Sequence, residues 1–424
     1  MARPHRHSLA RLATPLGLLE FLALLPPVVL GSCVGDMTVA SVDHNRAPGA
    51  ASELDILVVV DNSSPAGTPQ HLLASELAAF VAALDCASGG VPSIHLGVVS
   101  TDLGDGEQGN PGCFDDGDGG RLQDTPRLPG CSTLDEPYLI DRDDGNGGRD
   151  RNFEGRLEDA LACIATLGSG GCAVAQPLEA MARALRIESS QDAGFLRDEA
   201  YLAVIFVTGR DDCSAADTQA FAPRGRTGSG VVDFHCAEAG LVCGENEIPS
   251  QAGTYHDCRP RDGCFLHHPE GYVNLLLGLK PDLSMLVVGL ITGPPAPLTI
   301  ELDSANEPVA LPACTGSASR AFASPRLDYF GRKFPNSFVA SICAGNAGAS
   351  LAEMAATFCD GIAQNLPSHP VGGRGCRAVP AAAVPQVGQQ HSAALLVVLV
   401  VAVRFFLFER RCRDGKGFVP PIRE

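Results

Sequence analysis

Four short apolar runs constrain this chain more than any other feature: ILVVV at 56–60, IHLGVV at 94–99, YLAVIFV at 201–207 and MLVVGLI at 285–291. They are rich in β-branched residues and nearly continuous in hydrophobicity, without the polar alternation of a half-solvated sheet. Such runs suit strands covered on both faces by helices, the environment of a mostly parallel sheet.

Helical spacing fills the intervals. Thr68 can cap, and Pro69 can open, a helix whose apolar face is Leu72, Leu73, Leu77, Phe80, Val81 and Leu84. A second helix, again begun by a proline, carries Leu178, Met181, Leu185 and Ile187. GYVNLLLGL precedes the run at 285, and SLAEMAATFCDGIA (350–363) closes the core. This alternation predicts an α/β fold built on a doubly wound, mostly parallel sheet over 54–366. Long insertions are expected near 102–151, 209–269 and 292–348, where much of the chain's 47 Gly and 31 Pro falls.

Both ends carry membrane signals. Arg3, Arg6 and Arg11 followed by PLGLLEFLALLPPVVLGS read as an export signal over 1–32. The junction LGSC resembles the lipobox of bacterial lipoproteins, which implies lipidation of Cys33; an ordinary signal peptide ending near a cysteine is the alternative. A linker follows over 33–53, and a second spans 367–392. Residues 393–408 form a sixteen-residue apolar stretch interrupted by Arg404, before a basic tail at 409–424. At 1.5 Å per residue it falls short of a roughly 30 Å hydrocarbon core. A transmembrane helix and a peripheral helix packed on the domain both remain open.

Sixteen cysteines in an exported chain imply disulfides. Setting aside Cys33 and Cys412 leaves an even number, enough for seven bridges, with Cys236, Cys243, Cys258 and Cys264 crowding one segment. Connectivity does not follow from spacing. His256, His267 and His268 lie near Cys258, but oxidised sulfur does not ligate zinc. The formal charge of −18 opposes a phosphate backbone and argues against nucleic acid as a partner. FDDGDGG (114–120) and DRDDGNGG (141–148) lack EF-hand spacing and read as solvated acidic loops.

DILVVVDNSSPAG (55–67) resembles the first strand and loop of von Willebrand factor type A domains, in the version found in cysteine-rich bacterial lipoproteins. LGVVSTDLG (96–104), GCAVAQPLEAMARAL (171–185), AVIFVTGRDDCS (203–214) and SPRLDYFGRKFPNSFVASIC (324–343) agree with it in order. The resemblance implies a Rossmann-type fold and a metal site made of DxSxS, a threonine from a second loop and an aspartate after the fourth strand. Asp61 and Ser63 match that pattern, and Ser169 in LGSGGC stands where the threonine would be. Pro65 replaces the second serine, and TGRDDCS places Gly209 and Arg210 where TDEDDCS would supply acids. A hard cation such as Mg²⁺ or Ca²⁺ needs about six or more oxygens. The expectation is a degenerate site, Asp61, Ser63 and Ser169, of low metal occupancy and with no cofactor. Asp211 and Asp212 are the candidates to replace the lost ligands. Ser63 and Ser64 have a plainer use in capping the turn after the strand.

The implied function is a non-catalytic binding, adhesion or scaffold module anchored in a bacterial envelope, periplasmic or surface-exposed. Its partner would be a protein or another envelope ligand. The alternatives are a metal-dependent adhesion receptor with a non-standard site, or a hydrolase. GxSxG, HExxH and the P-loop are missing, and only a convergence of His95, His235 and Asp212 would supply a catalytic centre.

Overall fold

The computed structural model describes residues 53–63, 78–85, 91–186, 194–222, 230–263, 265–316, 320–344 and 347–365. The expectations for Cys33, Ser64, Pro65, Ile187 and 393–408 lie outside these residues. Among the described residues no helix is long and apolar enough to cross a membrane.

The chain enters through β1 (Glu53–Val60), runs through helical residues 78–83 (α1) and returns as β2 (Ser93–Ser100). The first insertion carries β3 (Leu139–Asp143) and β4 (Arg149–Arg151). Helices α2 (Leu157–Ala165) and α3 (Pro177–Leu185) lead to β5 (Tyr201–Val207). The second insertion contains α4 (Val231–Gly240), β6 (Leu241–Val242), β7 (Gly253–Tyr255) and β8 (Arg259–Pro260). Helix α5 (Glu270–Leu279) then precedes β9 (Leu286–Thr292). The third insertion holds β10 (Leu298–Leu302), β11 (Pro308–Leu311), β12 (Cys314–Thr315) and β13 (Arg320–Ala321). Helix α6 (Pro325–Gly331), β14 (Ser337–Ser341) and α7 (Ala347–Asn365) complete it.

The central sheet has the order β14-β9-β5-β1-β2-β3-β4. Its first five strands are parallel, and β3 and β4 add antiparallel. The architecture is therefore α/β with a mostly parallel sheet. Two of the insertions expected from the sequence also supply strands to the sheet. The first contributes β3 and β4 to the sheet, and the third contains the edge strand β14. Neither is a continuous apolar run: β3 ends in exposed Arg142 and Asp143, and β14 exposes Val339.

Strand β1 shows why the sheet is covered on both sides. Leu54, Ile56, Val58 and Val60 pack with α1, α2 and α7 in one core, while Leu57 and Val59 pack with α3, α5 and α6 in another. The period of two sends alternate side chains to opposite layers. Each fully buried aliphatic side chain contributes roughly 1.5–3 kcal/mol.

Among the described residues five disulfides have both cysteines placed, and each holds an insertion. Cys113–Cys172 and Cys131–Cys163 tie the first insertion to segments flanking α2 and to α2 itself. Cys213–Cys236 joins the loop after β5 to α4, Cys243–Cys258 closes the end of the second insertion, and Cys314–Cys343 ties the third to the end of β14. Cys359 is also disulfide-bonded.

Candidate functional site

The sheet reverses its direction of growth at β1, which lies between β2 and β5. Open α/β sheets place their ligand crevice beyond the carboxyl ends of strands at such a point. Asp61, Asn62 and Ser63 leave β1 there, and Thr208 to Asp212 leave β5 beside them.

The Asp61 amide prolongs the β1–β5 ladder by donating to Val207 O at 3.0 Å. Its carboxylate then turns the chain: Oδ1 accepts the Ser63 amide at 2.9 Å, and Oδ2 accepts the Thr208 hydroxyl at 2.9 Å. The same hydroxyl accepts the Arg210 amide at 2.9 Å. Arg210 is thereby aimed back across the crevice. Its Nε donates to Ser63 Oγ at 3.0 Å, and its Nη1 pairs with Asp233 of α4. The guanidinium also lies over the Phe322 ring, 5.5 Å from its centroid. Burial disfavours this charge, but Asp233 and Asp61 outweigh it and hold the Arg210 pKa above its ordinary value.

Asp233 is presented by the first turn of α4, where it also accepts the Gly230 amide at 3.2 Å. Gly230 has φ +87° and a Cβ there would approach Ala310 O to 2.6 Å, so this helix start tolerates little besides glycine. Negative charge at a helix start is favourable, which suits Asp233 to its place.

The second loop docks on the first. Gly171 bridges Ser63, and its amide donates to Asn62 O at 2.9 Å. A Cβ at Gly171 would fall within 2.4 Å of Asn62 Oδ1. Ser169 lies two residues away and is exposed, whereas Asp61 and Ser63 are buried. The structure thus joins Asp61 to Ser63 through a backbone turn and joins Ser63 to Arg210.

The two acids offered as replacement ligands have other partners. Asp211 accepts the amides of Arg326 and Leu327 at 3.1 Å and caps α6. Asp212 is wholly buried, accepting Ser214 Oγ at 2.6 Å and Arg326 Nη2 at 3.0 Å. Among the described residues no group of three or more His, Cys, Asp or Glu side chains is arranged to hold a metal ion.

A cavity of about 20 Å³ adjoins Arg210, Asp233 and Phe322. That is room for a water-sized occupant and not for an organic ligand. The structure does not bring His95 to Asp212. His95 sits near the amino end of β2, its Nδ1 3.0 Å from Phe195 O and 3.9 Å from Asp55, while Asp212 follows the carboxyl end of β5. His268 Nδ1 accepts the Glu270 amide at 3.2 Å, and Cys258 is bridged to Cys243.

Thr208, Asp233 and Phe322 were not anticipated from the sequence. Thr208 stands in TGRDDCS and was legible as a hydroxyl at a strand end. Asp233 and Phe322 come from two different insertions, and no local pattern points to them.

No protein-family model, curated protein or solved structure matches the chain.

Proposed function

We propose that this chain is a non-catalytic binding or scaffold module of a bacterial envelope, built on a von Willebrand factor type A-like domain that works without a metal ion. The observation that carries the reading is the Arg210 guanidinium, bonded to Ser63 Oγ and to Asp233 beside Asp61. An internal cation there supplies positive charge to the loop carboxylate and occupies the hydroxyl that a metal would need. The parallel sheet, the helices on both faces and the disulfide-held insertions support the fold side of the reading. The separation of His95 from Asp212 supports the non-catalytic side. The lipobox-like junction at Cys33 supports membrane anchoring, and the partner is a protein or other envelope ligand.

The test is ligand capture from envelope extracts by the purified chain, with Mg²⁺, with Ca²⁺ and with EDTA, alongside thermal melting in the same buffers. Binding and melting are expected to be equal in all three. A millimolar Mg²⁺ or Ca²⁺ requirement that Asp61→Ala abolishes would replace this reading with a metal-dependent adhesion receptor. The triple change Pro65→Ser, Gly209→Asp and Arg210→Glu should create a cation response, with about 2.7 kcal/mol of stabilisation at a hundredfold excess over Kd.

A further inference from the structure

Phe114 is 75% exposed, the most exposed large hydrophobic side chain among the described residues. A lone surface aromatic is ordinary on a mobile loop, but this one is held. Cys113 beside it is bridged to Cys172, which is wholly buried. The Gly117 amide donates to Phe114 O at 2.8 Å, and the Asp118 amide donates to Asp102 O at 2.9 Å. Gly117 (φ +56°) lies so close to the loop after β2 that a Cβ would meet Asp102 Oδ1 at 2.1 Å. The aromatic ring is therefore displayed on a fixed base next to the crevice, and little conformational freedom remains to be lost when it is covered.

The segment that carries it is acidic. Residues 105–120 contain five carboxylates and no Lys or Arg. Two of these serve the fold: Asp105 holds Asn110, and Asp118 accepts Ser100 Oγ and Asn62 Nδ2 and is neutralised by Arg127 at 3.4 Å. Glu107, Asp115 and Asp116 are exposed.

We infer that Phe114, with Asp115 and Asp116 beside it and Glu107 exposed in the same loop, is a docking surface for a cationic protein partner that offers an apolar pocket edged by Lys or Arg. A rigid aromatic anchor with a charged rim is the anatomy of an interface hot spot, the ring contributing affinity and the rim contributing steering. Charge selects among occupants. An anionic lipid surface would repel these carboxylates, and so would a second copy of a chain with a net charge of −18. The inference rests on the binding-module reading above.

The test places a photo-crosslinking p-benzoylphenylalanine at position 114, 169 or 339 of the full chain in the cells that make it. Position 114 should give a discrete protein adduct whose linked segment carries Lys or Arg beside apolar residues. Its yield should fall about tenfold in the triple variant Glu107→Gln, Asp115→Asn, Asp116→Asn, and similarly in high salt. Position 339, on the sheet edge, should not give this adduct. An adduct at 114 to lipid or to a second copy, or one indifferent to the charge changes, overturns the inference. Silence at 114 with adducts at 169 removes this surface and leaves the binding module standing. Silence at both removes both.

Discussion

Arg210 Nε donates to Ser63 Oγ at 3.0 Å, so the serine that a metal site would use as a ligand instead accepts from an internal cation. The other end of that guanidinium is paired with Asp233, and both side chains are more than nine-tenths buried. Removing one member of a buried pair leaves the other charged without compensation, whereas removing both can be nearly neutral. Arg210→Met should therefore cost about 3–5 kcal/mol, and adding Asp233→Asn should recover much of it. Urea denaturation of the two singles and the double checks this. Equal stability of Arg210→Met and the parent chain would mean that the pair does not hold α4 on the crevice.

The Cys213–Cys236 bridge fastens the loop that carries Arg210 to the helix that carries Asp233. Replacing both cysteines by serine should cost about 3 kcal/mol, as expected for a closed loop of this length. The same variant should lose most of the penalty of Arg210→Met, because α4 is then free to turn Asp233 into solvent. Mass spectrometry of unreduced peptides should recover the Cys213–Cys236 linkage in the parent chain, and free thiols at these positions would refute the arrangement.

His95 gives a pH dependence with a definite sign. Burial, reinforced by Arg197, lowers its pKa from 6.5 to about 4. Between those values the unfolded chain binds the proton and the folded chain does not, so stability is present above pH 6.5 and is lost as pH falls towards 4. The loss from this residue is on the order of 3 kcal/mol. His95→Asn keeps a donor towards Phe195 O without titrating and should flatten the acid side of the stability profile by that amount. Parallel profiles for the two proteins between pH 4 and 6.5 would show that His95 titrates normally in the folded state.

Membrane anchoring through Cys33 predicts incorporation of a labelled fatty acid. The label should be present in the parent chain and absent from Cys33→Ser. Retention by the variant would place the anchor elsewhere.

Much of the fold was written locally. The runs that became β1, β2, β5 and β9 are legible because strands buried on both faces need continuous apolar, β-branched sequence. Helices α3, α5 and α7 follow from apolar residues recurring at helical spacing. The edge strand β14 escaped because an edge needs only one covered side, and its Val339 faces solvent. Helix α6 is only seven residues long, and α2 and α4 lie beside or inside insertions, where turn residues dilute the pattern.

The candidate site divides the same way. Asp61, Ser63 and Arg210 could be found because each sits within a few residues of the end of an apolar run. What each would touch was decided by packing. Asp211 and Asp212 are neighbours of the same chemistry, yet one caps α6 and the other pairs with Arg326. Asp233 is 23 residues from Arg210, and Phe322 lies in another insertion. Cysteine spacing likewise implied bridges without their partners. Local sequence encodes which side chains must leave water, through the period of the element that carries them. Which charges and thiols then meet depends on where the folded layers bring distant segments together, and only the tertiary structure holds that information.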